Sequence, residues 1–491
     1  MGPGDEVDST FFWHDYETFG IDTRRDAPAQ FAGIRTDAEL NEVGEAVMLY
    51  CKPPRDALPD PGSCLITGIT PQLCEERGLG EAAFAQRVLD ELGAPGTIGV
   101  GYNTLGFDDE VTRHLFWRNL IDPYGREWQN QCGRWDLFNV VRCAYALRPE
   151  GLVWPVKEDG RTSLKLEHLS AANGLMHEAA HDALSDVRAT IGLARLLRSK
   201  QPKLFDYCLG LRHKRAVQQV IGPLGAQRQP FLHVSGMYGH ERGYLAVVWP
   251  LAQHPTNSNE VIVWDLAADP CELLGLSVTD IRTRLFTRRE DLPEGVTRLP
   301  IKSVHINKSP VVIKRLDTLS DKRAAHWGVD VAQALRHAQA ALAQASAFDA
   351  LPWAQVFSRE PREGDDELDA EQTLYGGAFL SNNDRRALEK LRLLSGQDLA
   401  RQRPAFEDAR LDEMLLRYRA RNWPEALEAA EQAQWLSHCR ARLLQGKGGH
   451  RTVAQVLARI DELADERMQA EDERGQAVLE ALVDWVEAIV P

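Results

Sequence analysis

The chain has 491 residues, 44% hydrophobic and 26% charged, with a formal net charge of −15. That length exceeds one hydrophobic core and predicts two or three domains. No apolar run approaches the ~20 residues that a membrane span needs, and no cationic start with an apolar run opens the chain. The eight cysteines are scattered without a C-x-x-C pair, which argues against a zinc clamp or a disulfide framework and for a reducing cytoplasm. The acidic total counts against binding of polyanions, whose partners ordinarily carry a basic footprint. Local concentration of cations can offset it, and clusters occur at Arg212-His213-Lys214-Arg215, at Lys302 through Lys308, and at Arg417, Arg419 and Arg421.

Residues 10–195 read as alternating strands and helices. Thr10 to His14 is a short apolar strand running into the first carboxylates, Glu45 to Lys52 resembles a second strand, and Gly96 to Tyr102 a third. Asp108 opens a helix through about Asn119. Another helix begins near Asp182, which can cap it, with Leu184, Val187, Ile191 and Ala194 as its buried stripe. Pro202 marks a boundary. From Phe231 to Leu316 short strands alternate with Gly, Pro and Asn turns, which suggests a β-rich or α+β domain. From Asp321 the chain is mostly helical, interrupted by a polar linker from Ser358 to Glu367. The expected limits are 8–200, 201–355 and 358–491.

Four segments carry chemistry: FFWHDYET at 11–18, GFDDE at 106–110, SLKLEH at 163–168 and HDALSD at 181–186. On a strand Asp15 and Glu17 point to one face, because side chains alternate. One can bridge two ions while the other holds the first. Asp108 at a helix start can complete the second ion's shell, and Asp186 one turn into a helix can complete the first. A D-x-E pair alone is usually a solvated edge or a cap. Here Phe11, Phe12 and Trp13 bury the strand, and four crowded acids repel one another unless cations are present. The unperturbed pKa of histidine suits His181 to the role of general base. Gly99-x-Gly101 followed by Gly106 misses the dinucleotide spacing, and no phosphate-binding loop sequence occurs.

The D-x-E pair, the later Asp and the His-x-x-x-x-Asp resemble the DEDDh superfamily of 3′→5′ exonucleases. HDYETFG at 14–20, GFDDEVTRHLFWRN at 106–119, RPEGLVWP at 148–155, LEHLSAANGL at 166–175, HVSGMYG at 233–239, HINKSPV at 305–311 and RYRARNWP at 417–424 extend the likeness along nearly the whole chain. Together they are similar to the bacterial exonuclease I family of single-strand-specific deoxyribonucleases. The resemblance implies an α/β, ribonuclease H-like exonuclease domain, then an SH3-like α+β domain and a helical C-terminal domain. It implies that Asp15, Glu17 and Asp186 hold one Mg²⁺ and Asp15 and Asp108 another, with Mn²⁺ able to substitute, and that His181 is the base. Glu17 and residue 165 contact substrate; here the family's arginine is Lys165, which keeps the charge but loses the bidentate fork.

The resemblance also implies strand contacts at Arg113, Tyr124, Trp128 and Arg142, and Asn257, Lys302, His305 and Lys308 are weaker candidates in the second domain. In the third, Tyr375 and the arginines around Ala420 are either strand contacts or a helix end. The family also docks the acidic, Phe-ending tail of single-stranded-DNA-binding protein. Arg148 and Tyr207 match that pocket, with Arg228 as substitute for the family's lysine. The expectation is a cytoplasmic, monomeric Mg²⁺-dependent exonuclease on single-stranded DNA. A DEDDh ribonuclease or proofreading enzyme would not share the text beyond residue 200, and a scaffold with a vestigial site would have lost one of the five residues.

Overall fold

The sequence Phe-Phe-Trp-His before Asp15 dictates where the first strand lies, since all four side chains are buried. A computed structural model describes residues 9–175, 183–358, 369–377 and 379–490. The chain divides into two compact units: Met1–Gly133 with His177–Arg188 and Arg362–Pro491, and Arg134–Met176 with Ala189–Pro361.

In the first unit β1 (Thr10–Thr18) pairs antiparallel with β2 (Pro28–Thr36), which pairs antiparallel with β3 (Val47–Tyr50). On its other side β1 runs parallel to β4 (Thr97–Gly101), in register only from Thr10↔Thr97 to Trp13↔Val100. Strand β1 therefore continues past the end of β4, so Asp15 and Glu17 sit within the strand and not beyond its end at His14. Trp13 Nε1 donates to Thr36 Oγ1 at 2.9 Å, pinning the register. A Cβ on Gly33 would collide with the Phe12 ring, so glycine lets β2 pass beneath that side chain. Strand β2 is absent from the sequence-based reading because PAQFAGIRT does not alternate; nearly all of it is buried, and a strand covered on both faces shows no period of two.

Helices α1 (Pro61–Thr67), α2 (Pro71–Arg77) and α3 (Glu81–Leu92) follow, and α4 (Asp108–Arg118) leads away from the end of β4. The C-terminal helices Val453–Gln469 and Glu473–Ile489 share an apolar core with α1 and α2 through Cys64, Cys74, Ile460, Leu482 and Trp485.

In the second unit, α5 (Leu137–Leu147) and α6 (Leu166–Ala172) precede an antiparallel sheet. Helix α7 (Ala183–Lys200) starts in the first unit and ends in the second. The sheet strands β5 (Phe231–Val234), β6 (Leu245–Gln253), β7 (Glu260–Asp265), β8 (Ile301–His305) and β9 (Val311–Ile313) take the order β9-β5-β6-β7-β8. Their inner face joins Val217 and Ile221 in one core. No helix among the described residues is long and apolar enough to cross a membrane.

Within the first unit a buried ion network ties Asp56 to the helices Arg410–Asn422 and Ala429–Gln445. Arg421 grips Asp56 through two bonds of 3.0 and 2.7 Å, and Arg442 adds one at 2.6 Å. Glu371 takes both arginines as well, and Asp369 takes Arg417 and Arg442. Arg419 pairs with Glu431. These arginines are therefore internal struts; the alternative of phosphate contacts gives way to paired burial. Burial opposes charge on Asp56, but Arg421 and Arg442 hold its carboxyl well below the usual range. A depressed folded pKa contributes stability above the unfolded value of about 3.9 that is lost as pH falls through the folded one. Asp56→Ala takes one carboxylate from Arg421 and Arg442, leaving both to share Glu371 and Arg442 to keep Asp369, and is expected to cost about 3–5 kcal/mol. Urea unfolding of the full chain at neutral pH measures it, and an unchanged midpoint would contradict the network's role.

Candidate active site

Asp15 and Glu17 share a face of β1 as the alternation requires, and Asp186 comes from the first turn of α7. One oxygen from each of the three carboxylates lies within 4.8 Å of the others. Asp108, at the start of α4, is buried, and its Oδ1 accepts the Tyr16 backbone N–H at 3.1 Å. That bond fixes the fourth acid against the strand residue between the other two. Tyr16 itself points the opposite way, where its hydroxyl meets Thr112 Oγ1 at 3.1 Å.

Burial, then Asp108, Glu17 and Asp186 in turn, push the Asp15 carboxyl well above its usual pKa. The donor set consists of hard carboxylate oxygens, which suit Mg²⁺ or Mn²⁺. Positive charge is what such a cluster lacks, so the residues fit a divalent metal centre. His181 lies outside the described residues, as does Asp182, the expected cap of α7. Of the expected α7 stripe, Val187, Ile191 and Ala194 are buried, while Leu184 is only partly so.

The expected strand contacts divide into kinds. Trp128 is exposed at 63%, a ring open to stacking. Tyr124 is partly buried and meets the exposed Phe379 edge-on at 5.8 Å. Phe379 escaped the sequence reading, although an aromatic after the Gly-Gly of YGGAF was a signal. Arg113 is buried, with Glu127 held at 2.7 and 3.0 Å, Glu110 at 2.8 Å and the Tyr375 hydroxyl at 3.0 Å. Its guanidinium also lies 5.3 Å from the Tyr124 ring. Arg113 is thus committed to carboxylates and orients Tyr124 and Tyr375.

In the second unit Lys165 stands exposed at the N-terminal cap of α6, 3.3 Å from Glu167. Arg142 lies over the Phe138 ring at 3.7 Å. His305 is 3.5 Å from Glu260, whose carboxylate also accepts from Asn257 at 2.6 Å. The charges of Lys302 and Lys308 bear on His305, whose pKa burial lowers, and that of Arg142 bears on Lys302, so these four basic side chains form one neighbourhood. Arg148 donates to Thr318 O at 3.0 Å, and Tyr207 donates to Val312 O at 2.8 Å while remaining 39% exposed. Arg228 is 2% exposed, packed over Trp249 and bonded to Asp349 and Leu251 O. It offers no rim charge, because the sheet core encloses it.

Three family models match successive parts of the chain: "Exonuclease" over 12–194, "Exonuclease I SH3-like domain" over 212–359 and "Exonuclease I C-terminal domain" over 368–489. The chain belongs to the exonuclease I family. It is 43% identical over 487 residues to exodeoxyribonuclease I of Escherichia coli (strain K12), with 98% of each chain covered. Among solved structures, the zinc-bound form of an E. coli exonuclease I–single-stranded DNA complex superposes with a TM-score of 0.89 at 42% identity. That match covers 98% of this chain and all of that one. An SSB/exonuclease I structure with an inhibitor gives 0.88 at 40% identity, covering 99% and 100%. The protein is therefore an exodeoxyribonuclease with an exonuclease domain, an SH3-like domain and a helical C-terminal domain.

The crowded acids have a measurable consequence. A raised carboxyl pKa in the fold weakens stability as pH climbs above the unfolded value and is relieved by protonation or by a cation. Asp15→Asn is expected to melt at a higher temperature than the unchanged chain when both are stripped of divalent ions, by a margin that grows from pH 5 to pH 8. The unchanged chain should then gain thermal stability on adding Mg²⁺ and the variant little. Calorimetry with and without chelator decides; equal melting curves in chelator would remove the repulsion argument.

Proposed function

We propose that the protein is a Mg²⁺-dependent exonuclease that removes 5′-mononucleotides from the 3′ end of single-stranded DNA, acting as a cytoplasmic monomer in DNA repair and recombination. The observation that carries this reading is the convergence of Asp15, Glu17 and Asp186 within 4.8 Å, with Asp108 tethered to the same strand. The DNA-bound relative supports the choice of substrate. Asp15, Glu17 and Asp186 would hold one divalent ion, and Asp15 with Asp108 the other. Ions bound there supply positive charge to the attacking and leaving oxygens. His181, five residues before Asp186, takes the proton from the attacking water. Trp128, Tyr124 and Phe379 offer rings to the bases, a sequence-tolerant grip. Glu17 and Lys165 meet the strand's terminus; Arg142, Lys302, His305, Lys308 and Asn257 line its path, and Arg113 with Tyr375 braces the ring that stacks.

Asp15→Ala or Asp186→Ala is expected to abolish cleavage while strand binding persists, because stabilisation of both oxygens is lost. His181→Ala should slow turnover by roughly 10²–10⁴. Digestion of end-labelled single- and double-stranded DNA and RNA, with Mg²⁺ and with chelator, is the test. Near-normal turnover by either aspartate variant, or equal digestion of blunt duplex and single strand, would overturn the assignment.

The SSB-bound relative supports a partner as well. The acidic, Phe-ending tail of single-stranded-DNA-binding protein would dock at Arg148 and Tyr207, which stay partly exposed while their hydrogen bonds to Thr318 O and Val312 O hold them in place. Binding of a tail peptide should weaken with rising salt, since exposed charges are screened, and should fail without the terminal Phe. Fluorescence anisotropy that is indifferent to salt and to Arg148→Ala would place the tail elsewhere.

A further inference from the structure

Lys302, on β8, is partly buried, and among the described residues no carboxylate pairs with it. Its Nζ donates instead to neutral groups: His233 Nε2 at 3.0 Å and Ser235 Oγ. The Tyr238 ring face lies 5.2 Å away. His233 is fully buried, and its Nδ1 lies 2.8 Å from Val311 O. A carbonyl can only accept, so Nδ1 carries the proton and Nε2 presents its lone pair to the ammonium. Burial, followed by the Lys302 charge, keeps this imidazole neutral, with a pKa of about 3. The tautomer is thus set by β9 and serves the lysine.

Arg142 approaches the same turn from α5: a Cβ on Gly236 would stand 3.2 Å from its Nη2. A side chain at residue 236 would crowd the guanidinium, so this glycine allows the approach. Other charges facing Lys302 do not neutralise it. On β7 its register partner is Val263, and Asp265 is taken by Arg242 at 2.5 and 3.3 Å. At the other end of β7, Glu260 is shared by His305 and Asn257. A purely structural lysine would be an expensive choice here, because a desolvated cation without a counter-charge is costly.

Resting on the reading of this protein as a nuclease of single strands, we propose that His233 and Ser235 are positioning residues that hold the Lys302 ammonium, beside Arg142, as a receptor for a backbone phosphate of the strand. The phosphate supplies the anion that the protein withholds. Burial, then Arg142, lowers the Lys302 pKa to about 7, so the grip is strong below neutrality and fades as pH rises through that value. Ser235 Oγ accepts from the ammonium and so favours the charged form.

The test uses the full chain in chelator with a 5′-labelled oligothymidylate, so that binding is read without cleavage. Lys302→Gln is expected to weaken binding roughly tenfold at pH 6.5 and to reduce the slope of log K against log salt by about 0.7. It should also flatten the fall in affinity between pH 6 and 8.5. Ser235→Ala, a mild change, keeps the slope at low pH and moves the midpoint of that fall to lower pH; His233→Gln should weaken binding, with a rise in KM that exceeds any fall in kcat once Mg²⁺ is restored. A role confined to folding would move none of the pH profiles. Lys302→Gln with the unchanged chain's slope and profile, or Ser235→Ala with an unmoved midpoint, overturns the proposal and leaves the nuclease reading standing. An unchanged chain that neither binds nor cuts the strand overturns the nuclease reading itself.

Discussion

Mutual repulsion among Asp15, Glu17, Asp108 and Asp186 is the constraint around which the first unit is arranged. Such a cluster survives only if something stiffer than the carboxylates fixes their positions. Strand β1 does so with a buried Phe-Phe-Trp-His run, a tryptophan bonded to the neighbouring strand, and pairing on both edges up to Trp13. Beyond that point β4 has ended, and the strand end is open to α4 and α7. Apolar burial at residues 11–13 thus supports the unfavourable electrostatics at residues 15–17, a local arrangement in which stability is given up where chemistry needs charge.

The same balance explains how an acidic chain can handle a polyanion. Net charge says little about a groove, because many of the arginines are spent on the protein's own acids. Arg417, Arg419, Arg421 and Arg442 are buried against Asp56, Asp369, Glu371, Glu413 and Glu431, and Arg113 is clasped by Glu110 and Glu127. What distinguishes a cation available to phosphate is the absence of a carboxylate, not membership of a basic run.

That distinction marks what was legible in the sequence. Residue type and alternation sufficed for Asp15 and Glu17, and a helix start sufficed for Asp108, because those signals are local. The strands of the second unit were legible from their turns. Strand β2 was not, since burial on both faces erased its alternation, and the first strand's true end was hidden because its last residues are polar by function. Arg228 looked like a surface substitute for a lysine but lies over Trp249 in the core. Arg113 looked like a contact to the strand but is clasped by Glu110 and Glu127. In each case the partner that decides the role lies far away in the chain or on a neighbouring strand, and no local pattern reports it.

His233 shows the same limit from the other side. In HVSGMYG it reads as one more polar residue near a turn, and only the pairing of β5 with β9 brings Val311 O to its Nδ1. Once that bond sets the tautomer, the remaining lone pair has one direction, and among the described residues the lysine opposite it has no acid to answer. The function of the cation follows from a hydrogen bond it does not itself make. Long-range pairing thus converts a common residue into a specific one, which is why the proposed grip on the strand is legible only in the folded chain while the carboxylates could be read directly.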